Sequence, residues 1–249
     1  MVEIEAQDLT FSYDGKRDAL SGLTFSIAPG ETVGIVGANG AGKSTFLRLL
    51  VGLLEGYGGR LTVNGWPVGR PVYPQIRERL GYVFQDSESQ LFRSTVCEDV
   101  AFGPLQYGYP PEEVEARVNN ALEAVRIGPL RDRRIYQLSG GEKKLAAIAT
   151  VLSLRPATLL FDEPTIALDP RNRRNLIRVM NGMPGTKLIA SHDLDMILDT
   201  CSRTLLFESG RVIADAPTRD LLSDRAMMEA HGLELPLSMG DRRGSGGAR

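Results

Sequence analysis

TVGIVGANGAGKSTFLRLL, Thr32 to Leu50, decides the fold. Its first residues, TVGIV, form a short apolar, β-branched run, which predicts a buried parallel strand. A glycine-rich loop follows, and then Phe46, Leu47, Leu49 and Leu50 at helical spacing. Strand, loop and helix in that order are the setting in which GxxxxGK(S/T) binds phosphate. Its candidate binding residues are Gly37, Ala38, Asn39, Gly40, Ala41, Gly42, Lys43, Ser44 and Thr45. Glycines let backbone N–H groups curl around an anion where side chains would collide, and the helix presents its positive end to the same anion. Lys43 is placed to neutralise β and γ oxygens, and the Ser44 hydroxyl to meet Mg²⁺. Taken alone, this loop leaves kinases, GTPases and helicases open.

Outward from the loop, TLLFDEP (Thr158 to Pro164) is an apolar run ending on two acids. Asp162 at the strand tip reaches the Mg²⁺ shell, and Glu163 is placed to polarise a water beside the γ-phosphate. A strand end meeting solvent, or a helix cap, is the plainer alternative. LSGGE (Leu138 to Glu142) supplies a second anion-binding helix end, with Ser139 as N-cap and Gly140–Gly141 exposing the first turn. Two such grips have no reason to coexist around one phosphate within one chain. Across two copies they can clamp one ATP from both sides.

Composition narrows the class. The chain has 249 residues, long enough for one α/β domain or two small lobes, and is 42% hydrophobic. Its 29 Lys+Arg nearly balance 31 Asp+Glu, for a net charge of -2. That argues against nucleic acid as a partner, although a local basic patch stays open. No apolar run reaches membrane-spanning length; the longest, Leu145 to Leu154, sits between Lys144 and Arg155. MVEIEAQDL lacks a signal-peptide core. Cys97 and Cys201 stand far apart without CxxC spacing and are expected to be reduced. The expected location is therefore the cytosol, at the membrane's cytoplasmic face only through a partner.

The pattern along the chain predicts an α/β fold: a P-loop core with a mostly parallel sheet, an N-terminal antiparallel β region and an inserted helical lobe. Strands are expected in VEIEAQDLTFSY, LTFSI, LTVNGWPV (turning at Asn64–Gly65), RLGYVFQ, TLLFD, TKLIAS and RTLLFES. Helical periodicity runs from about Asp86 to Leu138, clearest in PPEEVEARVNNALEAV, which Pro110 or Pro111 opens. Residues 1–239 read as one domain, with 1–85 and 151–239 as the core lobe and 86–150 as the helical lobe. A flexible Gly/Arg/Ser-rich tail is expected over 240–249, and a basic contact to a membrane surface is its minority alternative.

The order of phosphate loop, Gln85, LSGGE, LLFDEP, Leu168–Asp169 and His192 resembles the ATP-binding cassette (ABC) family over nearly the whole chain. That resemblance implies an ATPase, with ATP and Mg²⁺ as ligands and Ser44, Gln85 and Asp162 around the metal. It implies that Tyr13 stacks on adenine, although an aromatic at a strand end more often only packs. It makes Glu163, His192 and Gln85 the catalytic group, with Gln85 relaying nucleotide state to the helical lobe. Ser139, Gly140, Gly141 and Glu142 would act in trans, and Asp169 would lie at the dimer seam. His231 is expected to have no role. One copy of each motif implies a pair of chains, most simply a homodimer.

Finer stretches resemble the ATPases of energy-coupling-factor importers, notably Val83 to Gly108 and LSGGEKKLAAIATVL, while the segments from His192 onward are most similar to cobalt and nickel members. Integral scaffold and substrate-capture proteins are then implied partners, with coupling helices seated near Gln85 and residues 86–103. Asp86, Glu88, Glu98 and Asp99 would receive basic groups from them or form a solvated face. Ile166–Ala167 replaces the family's small-Gly pair, and Leu145 stands where Arg is frequent; both bear on closure rather than chemistry. Nickel or vitamin import, a soluble cassette and a P-loop kinase are the alternatives.

Overall fold

The computed structural model describes residues 3–240, so all but the first residue of the expected tail lies outside it. Strands β1 (Ile4–Ser12) and β2 (Asp18–Ile27) open the chain, followed by β3 (Thr32–Val36) and helix α1 (Lys43–Leu50). β4 (Gly58–Val63) and β5 (Trp66–Pro67) form a hairpin turning at Asn64 and Gly65, both in the left-handed region this turn requires. α2 (Tyr73–Arg79) leads into β6 (Leu80–Val83). Helices α3 (Val96–Gln106), α4 (Pro111–Ala124) and α5 (Gly140–Leu152) come next. Then β7 (Thr158–Asp162), α6 (Pro170–Gly182), β8 (Thr186–Ala190), α7 (Leu194–Thr200) and β9 (Arg203–Glu208) alternate. β10 (Arg211–Pro217), α8 (Thr218–Ser223) and α9 (Arg225–Ala230) complete the elements.

Two sheets result, as the strand pattern predicts. The antiparallel one has the order β2-β1-β4-β5, and the six-stranded one β10-β9-β3-β8-β7-β6. Every pairing in the second is parallel except β9 with β10. Its central strands are buried on both faces, which explains their unbroken apolar runs. Period-two alternation sorts them: Ile35, Leu160, Leu188, Leu205 and Phe207 face the antiparallel sheet, while Val36, Phe161, Ile189 and Leu206 face the helices. α1 lies in the first of these cores, where Phe46 meets Phe25 and Phe207 with ring centroids 5.2 and 6.3 Å away.

Helical structure starts later than the periodicity suggests, because residues 86–95 form turns. Side chains capture their backbone: Asp86 accepts from Glu88 N (2.9 Å), and Asp99 from Phe92 N (3.2 Å) and Arg93 N (3.1 Å). Such local bonds compete directly with a helix. Glu98 completes a capping box with Thr95, and Glu88 pairs with Lys143. The four carboxylates expected either to receive a partner's basic groups or to form a solvated face are thus already engaged within the chain. Both cysteines are free thiols, and burial pushes the Cys201 thiol up to about 12.

Phe46 is fully buried. Phe46→Ala is expected to lower unfolding free energy by about 3–5 kcal/mol through lost burial and the cavity left behind, read by urea titration.

Candidate active site

The parallel register lines up four strand ends. Ile35 pairs with Ala190, Asp162 with Ala190 and Val83 with Phe161, so the residues after β3, β8, β7 and β6 emerge side by side. Backbone bonds extend the alignment: Glu163 N donates to Ala190 O (2.8 Å), and Ser191 N to Ile35 O (3.1 Å). Ligand sites of open α/β sheets form beyond such carboxyl ends. Here a cavity of 730 Å³ is lined by Tyr13, residues 37–45, Gln85, Glu163 and His192. Leu233, from the stretch after α9, also lines it, and no motif in the sequence pointed there.

The loop over 37–42 needs glycine at two of its turns. Gly42 has φ 105°, and a Cβ there would lie 2.8 Å from Ala19 O. Gly37 has φ 148°, and its Cβ would lie 2.1 Å from Phe207 O. Lys43 is buried and its Nζ donates to Gly37 O (2.7 Å) and Ala38 O (3.2 Å), bracing the loop. Desolvation lowers its pKa, against the pull of Glu163 and Asp162.

Ser44 Oγ donates to Asp162 Oδ1 at 2.7 Å, while Tyr82 OH donates to Oδ2 at 2.8 Å. The carboxylate is therefore oriented from both sides. Burial and the neighbouring carboxylate raise the Tyr82 pKa, keeping it a donor. Ser44 and Asp162 together offer the hard oxygens that Mg²⁺ takes alongside substrate phosphates. No cluster of three His, Cys, Asp or Glu suited to a metal occurs among the described residues.

Glu163 is buried, at φ 47°, a strained angle of the kind stored at functional sites. Its Oε2 accepts from Ser191 Oγ (3.0 Å) and His192 N (3.2 Å), and lies 2.8 Å from His192 Nδ1. A carboxylate only accepts, so an ionised Glu163 pairs with the His192 tautomer that carries its proton on Nδ1. Tyr13 is exposed, and its hydroxyl lies 3.0 Å from Thr45 Oγ1 at the cavity rim.

Two expected groups lie outside this cavity. Ser139 and Glu142 form a reciprocal cap at the start of α5, with Glu142 N donating to Ser139 Oγ (3.3 Å) and Ser139 N to Glu142 Oε2 (2.8 Å). Gly140 lines an adjoining cleft of 520 Å³, which shares Gln85 and Ile166 with the first cavity and also includes Ala167 and Leu168. Gly141 is packed so tightly that an added Cβ would fall 2.4 Å from the Asn172 side chain. Asp169 caps α6, accepting from Arg171 N (2.8 Å) and Asn172 N (2.9 Å). Tyr82 and Ser191 are supporting residues that motif order did not reveal. His231 lies 3.1 Å from Glu208, away from the cavity lining.

A P-loop site at the carboxyl edge of a parallel sheet defines the class as a P-loop nucleotide-binding α/β protein. The ABC transporter family model matches residues 20–166. A Geobacter sulfurreducens protein provisionally named an ABC transporter ATP-binding protein is 49% identical, covering 95% of this chain and 95% of its own length. The cobalt import ATP-binding protein of Rhodobacter capsulatus is 41% identical over 94% of this chain and 85% of its own. Among solved structures, CbiO1 of Clostridium perfringens, part of the ABC transporter complex CbiONQ, superposes with a TM-score of 0.83 at 33% identity. That superposition covers 92% of this chain and 94% of the other. The chain belongs to the ABC transporter family and is an ATPase of that family.

Ala167 sits at φ 60°, a conformation that costs a residue bearing Cβ but not glycine. Ala167→Gly is expected to raise stability by about 1 kcal/mol, measured as a higher midpoint in urea.

Proposed function

We propose that this ATPase powers an energy-coupling-factor importer at the cytoplasmic face of the membrane, and that its cargo is divalent cobalt. The observation carrying the ATPase mechanism is the gathering of Lys43, Asp162, Glu163, His192 and Gln85 at aligned strand ends, with Ser139 outside their cavity. A signature helix end outside its own chain's cavity supports a site completed by a second copy. In this reading the helical lobe, residues 86–150, carries that end toward the partner.

Lys43 and the loop N–H groups hold the phosphates. Ser44 and Asp162, with Gln85 beside them, would hold Mg²⁺, which when bound would supply charge to offset that on the phosphate oxygens. Glu163 takes a proton from the attacking water as its oxygen bonds to the γ-phosphorus and the bond to the bridging oxygen breaks. Ser191 and the His192 backbone N–H keep the carboxylate aimed. His192 orients the water and γ-phosphate, and Tyr13 stacks on adenine. Among the described residues no helix is long and apolar enough to cross a membrane. In this reading the transport path belongs to integral partners. Cobalt is supported by the Rhodobacter capsulatus relative and by the resemblance of the stretch from His192 onward.

Glu163→Gln is expected to reduce turnover by about 10³-fold or more while ATP stays bound, giving a nucleotide-dependent dimer in size-exclusion chromatography. Ser139→Arg is expected to abolish hydrolysis yet leave ATP binding to the single chain intact; loss of that binding would remove the two-copy reading. The cargo is tested by purifying the chain with its integral partners, reconstituting them in vesicles and following labelled cobalt and nickel. ATP-driven cobalt uptake abolished by Glu163→Gln is the expected result. Nickel uptake alone, or neither metal, would move the cargo to nickel or a vitamin, and absence of integral partners would overturn the importer reading.

A further inference from the structure

Lys144 is 3% exposed, yet no carboxylate lies within 4.0 Å of it among the described residues. Its Nζ donates instead to two main-chain carbonyls, Gln85 O at 2.7 Å and Phe84 O at 3.2 Å. Packing alone would be served at lower cost by an apolar side chain, since burying an ammonium is expensive and only the more distant Asp86 and Asp162 offset that cost. The charge is spent on gripping the segment that carries Gln85.

Other bonds run the same way. Gln90 Nε2 donates to Ala147 O (2.6 Å) and Thr150 Oγ1 (2.9 Å), while its Oε1 accepts from Phe84 N (3.2 Å). Lys143 pairs with Glu88. Residues 84–90 are therefore stitched to successive turns along one face of α5, at positions 143, 144, 147 and 150. The 520 Å³ cleft lies between this unit and the turn at Ile166 to Leu168. Its two connections to the sheet are irregular: one follows Val83 at the end of β6, and the other passes Arg155 at φ 55° before β7.

We propose that Lys144 is a positioning residue that joins the Gln85 segment to the signature helix, so that nucleotide contact at Gln85 in one site moves Ser139, which serves the other. This rests on the reading of Gln85 and Ser139 given above. Ser139 lies five residues before Lys144 on the same helix, about 8 Å along its axis, so displacement at the carbonyls is passed on with little loss. Such coupling affects assembly and turnover rather than ATP capture, because the hydrogen bonds of Lys144 go to Phe84 and Gln85 and not to the phosphate loop.

The test uses the full chain carrying Lys144→Met, Gln85→Ala or both, with Lys144→Gln as the variant that keeps a neutral N–H donor. Lys144→Met is expected to lower kcat about tenfold while ATP affinity of the single chain changes less than about twofold. In a Glu163→Gln background it should weaken ATP-driven dimerisation by a similar factor. Lys144→Gln should recover much of the loss. Added to Gln85→Ala, Lys144→Met should cost less than about twofold more, the non-additivity of two residues on one path. Fully multiplicative losses, or wild-type kcat in Lys144→Met, would overturn the proposal. Wild-type kcat in Gln85→Ala would instead overturn the reading of Gln85 on which it rests. If Lys144→Met does not fold, Gln90→Met cuts the neighbouring stitches and carries the same cycle.

Discussion

The backbone ladder through β3, β8 and β7 is the constraint on which everything else depends. Its parallel register places Gly37, Ser191 and Glu163 at adjacent strand ends without help from any side chain. Continued bonding past the strands, from Glu163 N to Ala190 O and Ser191 N to Ile35 O, carries that alignment into the site itself. Polar groups then need only short reaches. Ser44 meets Asp162 and Ser191 meets Glu163 because their main chains are already neighbours, though 118 and 28 residues separate them in sequence.

What was legible in the sequence is what local chemistry dictates. TVGIV, TLLFD and TKLIA read as buried strands because both faces of a central parallel strand are apolar, and all three are. The loop from Gly37 to Ser44 was legible because few structures require glycines, lysine and serine at that spacing. The cap at Ser139 and the turn at Asn64–Gly65 follow equally local rules. Supporting contacts were not legible. Tyr82 meets Asp162 across 80 positions, and in RLGYVFQ it reads simply as a strand aromatic. Leu233 enters the cavity lining from a stretch with no distinguishing pattern. The late start of α3 was hidden because aspartates that satisfy helix periodicity on paper satisfy turn N–H groups in space.

Strain and rigidity are distributed unevenly. Glu163 and Ala167, four residues apart, both sit at positive φ in the segment linking β7 to α6. Neighbouring elements are tightly held: Arg173 grips Asp193 through two bonds of 2.5 and 2.6 Å, tying α6 to the start of α7. A strained link between two well-anchored elements retains a fixed shape, since neither end can relax. The segment beyond β6 is held by contrast through hydrogen bonds to α5.

The cap at the start of α5 has a consequence for how long a nucleotide stays. Ser139 Oγ already accepts from Glu142 N and donates to Glu142 Oε2 at 2.9 Å, while that carboxylate also takes Ser139 N. Two N–H groups and the hydroxyl of this helix end are thus already taken by the cap. In the two-copy reading proposed above, a phosphate arriving here would gain these donors only by trading places with a carboxylate one turn away. On that reading capture would be an exchange between two anions of similar appetite, with the carboxylate ready to reclaim its partners. Such a grip would favour a short residence time over tight retention.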